Sequence, residues 1–486
     1  MKLGKTLYSM ILALACAPVL AQDAKSVIAD ATHAMGLEGV SSLYYYGAGS
    51  SYNLGQNTNA NIPWPQTPLN DYVRAIDFSQ PASRATWSTY AVPVQGGLAT
   101  LVNAQQNITP ASPGGWAQQL EIWTTPWGFL KGAAANGATA QQRSVDGKRY
   151  QVITWNAPVK SPGGQAYRVV GYVNADKLVE KVQTWLENPV FGDMLVESEY
   201  HYYRDHDGLK YPTEIVQKRG GWPVLQVQVL GAFPNPAKLA QLMNATGPAP
   251  GGAPPPAAAA PASLSEKLAD GVYRIKGAYN SLAVEFSDYA LLIEPGPQNE
   301  ARALAGIAET RRLIPGKPIR YGVITHHHFD HTGGLEAAVA EGITIVTPEV
   351  NKAFLEKALS APRTLAPDAL AKSGRKPVIE GFKGDKRVFQ DATRTVEIHV
   401  IKALPHVDGL VIAWLPKEKL LVYADMFNFP PPNQPVPDPP VIGTKIFYEN
   451  ITRLGLDPER ILSIHQMNPD RLATLQDIRS SMGMTN

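Results

Sequence analysis

Residues 325 to 331 read Thr-His-His-His-Phe-Asp-His, and no other run constrains this chain as strongly. Written as His-x-His-x-Asp-His, it offers His326, His328, Asp330 and His331 within six positions. Imidazole nitrogens and a carboxylate are the ligands that a borderline-soft divalent cation such as zinc takes. The preceding residues, Tyr321-Gly322-Val323-Ile324-Thr325, are apolar and β-branched at their end, which predicts a buried strand. The following residues, Gly333 to Ala340, predict a helix, with Thr332 as its cap and Gly342 as its stop. The ligand types therefore sit on a turn between a strand end and a helix start. That setting, with Asp330 interleaved, separates the run from a solvated histidine tract. His327 is predicted to point the other way, because neighbours on an extended backbone alternate sides.

At 486 residues the chain is too long for one ordinary core, so two or three domains are expected. Hydrophobic residues make up 44% and charged residues 18%, the balance of a globular protein. Net charge is +2 with no basic run, which argues against nucleic acid or an anionic membrane surface as partner. Met1 to Lys5 is basic, Thr6 to Cys16 is mostly apolar, and Val19-x-Ala21 fits a signal-peptidase site. Residues 1–21 are therefore expected to be a signal peptide, leaving no integral membrane segment after its removal. The expected location is periplasmic or secreted in a bacterium, with lipoprotein anchoring at Cys16 as the lesser reading. Cys16 is the one cysteine, so the mature chain would have no disulfide and no thiolate ligand.

Residues 22–245 read as a β-rich domain. Asp23 to Leu37 predicts a helix, and residues 40 to 140 predict short strands and long turns rich in Gly, Asn, Pro and aromatic residues. From Tyr150 the strands sharpen. Leu225, Val227 and Val229 alternate with Gln226 and Gln228, and turns such as Asp205-His206-Asp207-Gly208 separate the runs, which predicts an antiparallel meander. The stretch Tyr202 to Pro212 resembles part of the periplasmic lipoprotein-carrier fold, a curved sheet around an apolar cavity. Residues 246–263, rich in Pro, Ala and Gly, predict an extended linker that could separate two domains by up to roughly 50 Å.

Residues 264–486 hold seven of the ten histidines. His406 follows the apolar run Val400 to Leu404, Asp425 ends Leu420 to Ala424, and His465 ends Ile461 to Ile464. Each is a ligand type just past an apolar strand. His399 lies mid-strand and is assigned to packing. The Pro-rich stretch after Asp425 brings Phe427 and Phe429 as candidates to wall a substrate pocket; a packed surface loop is the other reading.

With its later histidines and Asp425, the His326-x-His328-x-Asp330-His331 motif resembles the signature of the metallo-β-lactamase superfamily. The resemblance covers about residues 264 to 486. It implies an α+β chain in which an αββα sandwich follows the β-rich antiparallel domain. It further implies one metal on His326, His328 and His406, a second on Asp330, His331 and His465, and Asp425 bridging them. Two Zn2+ are the expected cofactors, with Mn or Fe as substitutes for an all-N/O ligand set. Two such ions about 3.5–4 Å apart share a hydroxide with a pKa near ~7. Asp330 would orient that hydroxide and carry its proton. The expected activity is hydrolysis of an ester, lactone, thioester or amide bond, a β-lactam among them, in a small-molecule substrate. An iron-dependent sulfur dioxygenase and a non-enzymatic periplasmic carrier of a hydrophobic ligand are the alternatives. Two departures stand out: Glu294 occupies a turn where the family carries Asp, and Pro405-His406-Val407-Asp408-Gly409 lacks the hydroxyl residue usual after the third histidine.

Overall fold

The computed structural model describes residues 23–91, 100–108, 115–244 and 264–484. The expected signal peptide at 1–21, with Cys16, and the expected linker at 246–263 lie outside them.

Eleven strands form one antiparallel sheet. The first four step outward from Ser42–Tyr52 to the edge strand Thr100–Ile108. The last seven run as a meander from Thr139–Val145 to Trp222–Pro234, which pairs with Ser42–Tyr52 and joins the two halves. The strand Gly192–His206 shows why the chain extends here. Met194, Val196, Ser198 and Tyr200 are buried while Glu197 and Glu199 are more open, the period-two pattern of a sheet with one wet face. Asp207 and Gly208, both at positive φ, make the tight turn into Leu209–Arg219.

The region between 40 and 140 differs from its sequence expectation. Its strands run nine to twelve residues rather than being short: Ser42–Tyr52, Gln66–Asp77, Ala82–Ala91 and Thr100–Ile108. Register shifts at Tyr46/Gly47 and at Asn70/Val73 break the alternation that would have revealed them. A helix, Pro126–Ala135, was also not anticipated. Thr125 caps it, and Trp127, Phe129, Leu130 and Ala133 are all buried, so it lacks the polar face from which helical periodicity is read. With Ala24–Ala34 it packs into the core of the large sheet.

Residues 264–484 form four layers. The helices Glu300–Leu313, Leu335–Ala340, Glu349–Leu359 and Ala369–Ser373 cover a seven-stranded mixed sheet. Its other face packs against a five-stranded sheet through Leu282, Val284, Leu291, Ile293, Val323, Ile398, Val422 and Leu462. The helices Ile442–Arg453 and Leu475–Ser481 cover that second sheet. Thr332 does not cap the helix it precedes. It ends a separate turn, Phe329–Thr332, where its hydroxyl donates to the His328 carbonyl at 2.9 Å, and Gly334 holds the cap position. The strand before His406 ends at Val400, not at Leu404.

The two domains are docked rather than held apart. Ala60 and Val190, with Phe191 beside them, share a core with Phe354, Leu355 and Leu359. The buried Arg363 guanidinium donates to the carbonyls of Pro189 at 2.9 Å and Val190 at 3.0 Å. Asp193 accepts from the Thr364 hydroxyl at 2.7 Å and the Leu365 amide at 2.9 Å. Among the described residues no helix is long and apolar enough to cross a membrane.

Candidate metal centre

The expected ligands collect at one edge of the sandwich because parallel strands end there together. Ile319–Val323 lies parallel to its neighbours and runs into Thr325 to His331. Leu420–Tyr423 and Arg460–Ser463 are parallel neighbours that end before Asp425 and His465. His406 arrives on the loop between Thr395–Val400 and Val411–Leu415. Asp425 itself sits at φ +56°, a left-handed kink that leaves the strand direction.

Asp425 is the hub. Its Oδ2 lies 3.1 Å from Nε2 of His326, 3.1 Å from Nε2 of His331 and 3.6 Å from Nε2 of His406. Its Oδ1 lies 2.6 Å from Nε2 of His465. Asp330 Oδ2 is 3.4 Å from Nε2 of His331 and 3.9 Å from Nε2 of His465. Side-chain nitrogens and oxygens thus converge in two groups, His326, His328, His406 and Asp425 in one, Asp330, His331 and His465 in the other. The structure brings all seven expected ligands together. His327 turns away, against Phe354, and His399 pairs with Glu397 at 2.8 Å and belongs to neither group.

The electrostatics suit a cation. Burial lowers His326 well below the usual histidine range and lowers His328 to about 4, so both rings stay neutral with a lone pair to give. The Nε2 atoms of His326 and His406 are buried and make no hydrogen bond of good geometry, though both face the Asp425 carboxylate. Burial alone would raise the Asp425 carboxyl, but the imidazoles of His326, His331, His406 and His465 gathered around it hold it well below the carboxylate range. Burial would likewise lower His331, yet Glu294 and Asp425 raise it to about 10. Carboxylates gathered this densely in a buried site demand positive charge, which a divalent cation supplies. The imidazole and carboxylate donors fall into two groups, each of which could hold one divalent cation such as zinc.

Four residues support the ligands: Glu294, already singled out at its turn, and Tyr279, Gln56 and Asn57, which were not anticipated. Glu294, fully buried at φ +59°, accepts from the Thr325 amide at 3.3 Å and places Oε1 3.3 Å from His331 Nδ1. A carboxylate at Nδ1 turns Nε2 toward the cluster. Tyr279 donates its hydroxyl to Asp330 Oδ2 at 2.9 Å and lays its ring 4.4 Å from that of His465. Gln56 and Asn57 come from the N-terminal domain: Gln56 Nε2 donates to Asp330 Oδ1 at 2.9 Å, and the Asn57 carbonyl accepts from His328 Nε2 at 3.0 Å. No sequence spacing points to these, since Gln56 stands 274 positions before its partner. The unusual turn after His406 also finds its reason: the Asp408 amide donates to the Thr58 carbonyl at 2.6 Å, and Asp408 accepts from Asn59 at 3.0 Å.

Residues 274–461 match the model of the metallo-beta-lactamase superfamily. The C-terminal domain belongs to that superfamily. Solved structures similar to the chain include the metallo-beta-lactamase TMB-1, at 14% identity over 45% of this chain and 95% of that one, TM-score 0.33. Another is a metallo-beta-lactamase from Pontibacter korlensis, at 15% identity over 45% of this chain and 97% of that one, TM-score 0.33. Rubredoxin oxygen:oxidoreductase from Desulfovibrio gigas shares 18% identity over 45% of this chain and 60% of that one, TM-score 0.34. No curated protein matches the chain.

A cavity of about 660 Å³ opens beside the superfamily cluster, lined by His406, Asp425, Asn428, Pro430, Pro431 and Ile442 among others. Phe427 and Phe429 do not line it. Phe427 is buried in the core against Tyr423, and Phe429 meets Phe427 edge-to-face and lies under the Arg471 guanidinium, 4.1 Å from its ring. The intervening Asn428 and the prolines face the cavity instead.

Proposed function

We propose that this chain is an exported dinuclear zinc hydrolase acting on a neutral, largely apolar small molecule with an ester, lactone, thioester or amide bond. The observation that carries the reading is Asp425, which lies within reach of both groups of ligands and lines the 660 Å³ cavity. Two divalent cations bound there would supply a water nucleophile at neutral pH and polarise the scissile carbonyl. The chain's own residues do the rest. His326, His328 and His406 would hold one ion, Asp330, His331 and His465 the other, and Asp425 both. Asp330 takes the proton from the attacking water, and its place is fixed by Gln56 on Oδ1 and Tyr279 on Oδ2. Burial and the Asp330 charge raise the Tyr279 phenol above its ordinary range, so it remains a donor. As the water oxygen bonds to the acyl carbon, the bond to the leaving O, S or N breaks, and the leaving atom takes the proton. The prolines, Ile442 and Asn428 offer the substrate apolar contact and a carboxamide but no charged partner, which favours uncharged acyl groups.

The test is a turnover screen of neutral esters, lactones, thioesters and a chromogenic β-lactam with the zinc-loaded chain and with His406→Ala. Hydrolysis of one class, lost by at least about 100-fold in the variant, is expected. Oxygen consumption by an iron-loaded chain, with no hydrolysis, would replace this reading by the dioxygenase. Residues 1–21 support export, which N-terminal sequencing of the mature protein would check.

A further inference from the structure

The loop 53–65, between the strands Ser42–Tyr52 and Gln66–Asp77 of the N-terminal domain, reaches across the domain boundary into the His-x-His-x-Asp-His turn. Gly55 begins the contact. Its carbonyl accepts from the Phe329 amide at 3.2 Å, and at φ +85° any Cβ on it would collide with the Phe329 ring. Asn57 is fully buried and every polar atom of its side chain is used. Its Nδ2 donates to the carbonyls of Asn59 at 2.6 Å and Ile62 at 3.1 Å, and its Oδ1 accepts from His327 Nε2 at 3.0 Å. This anchoring aims the Asn57 carbonyl at His328 Nε2. A carbonyl only accepts, so Nε2 carries the hydrogen and Nδ1 is left with a lone pair. Gln56 performs the matching task on the carboxylate. It takes Oδ1 of Asp330, while Oδ2 is the oxygen that faces His331 and His465.

We propose that Gln56 and Asn57 are positioning residues of the metal centre, so that the N-terminal domain completes a site whose ligands all lie in the other domain. The inference rests on the reading of the cluster as a metal centre. The Asn57 carbonyl sets the tautomer and ring angle of His328, and the Gln56 carboxamide sets which Asp330 oxygen is presented. Fixed groups behind ligands tune metal affinity because they remove the entropy of orienting each ligand on binding.

The experiment uses the full chain, stripped of metal and titrated with Zn2+ in competition with a chromophoric chelator. Gln56→Ala, at a half-buried position, and Asn57→Ala are compared with wild type and with Asn61→Ala, an exposed site on the same loop whose side chain, among the described residues, hydrogen-bonds Asn59. Zinc affinity is expected to fall roughly 10–100-fold in the first two and to stay at the wild-type value in Asn61→Ala. Turnover should lose kcat with KM unchanged, and the metal-free unfolding transition of Gln56→Ala should match wild type. Wild-type zinc affinity in a folded Gln56→Ala overturns the inference alone, leaving the metal centre standing. A wild-type chain that takes no zinc from the chelator overturns the metal centre and this inference together.

Discussion

Glu294 shows how a single substitution relative to the superfamily pattern is absorbed. Its longer side chain reaches both the Thr325 amide and His331 Nδ1 from a fully buried position. Glu294→Ala strands the buried Thr325 amide, at a cost of about 1–3 kcal/mol, and frees the His331 ring. Glu294→Gln keeps an acceptor for the amide and should recover most of the stability but not the zinc affinity. Urea unfolding and chelator competition on the two variants separate the effects. Variants with wild-type stability and wild-type affinity would remove Glu294 from the site. At this scale the sequence was legible where ligands are close together in the chain, as in His326 to His331, and where a lone ligand type follows an apolar strand, as with His406, Asp425 and His465. Tyr279, Gln56 and Asn57 carry no such mark, because their role exists only once distant strands have been brought side by side. The reading of Phe427 and Phe429 failed for a related reason: nearness to Asp425 in sequence does not say which side chains of a loop face inward.

The helix Leu335–Ala340 follows the ligand turn directly and buries a carboxyl, Glu336, whose Oε2 has no hydrogen-bond partner among the described residues. Burial raises its pKa to about 8. Below pH ~4.3 the group is protonated both folded and unfolded, and it contributes no slope. Between there and about 8 the unfolded chain ionises while the folded chain keeps its proton, so stability falls as pH rises. Glu336→Gln should abolish that slope. Its advantage over wild type should grow from pH 4 to pH 8 and then level, reaching at most about 5 kcal/mol. Denaturant unfolding at several pH values checks this; a pH-independent difference would contradict it. Among elements, the meander from Tyr150 and the strands of the C-terminal domain were readable from period-two alternation or continuous apolar runs. The strands before residue 110 were not, since bulges interrupt their alternation, and the helix Pro126–Ala135 was hidden by being apolar on every side.

For the molecule as a whole, the linker composition suggested two independent bodies, yet Arg363, Asp193 and Phe191 tie the halves through groups some 170 residues apart. Sequence patterning reports which face of an element is apolar, not which distant element covers it. The docking has a functional sense, because it delivers Gln56 and Asn57 to the ligand turn. The account's central claim is that this assembled cluster holds two metal ions. Elemental analysis of the full chain, reloaded with zinc and freed of excess, tests it most directly, with His326→Ala measured beside it. About two zinc ions per chain, reduced in the variant, are predicted. No retained zinc in the wild-type chain, or equal retention in wild type and variant, would contradict the claim.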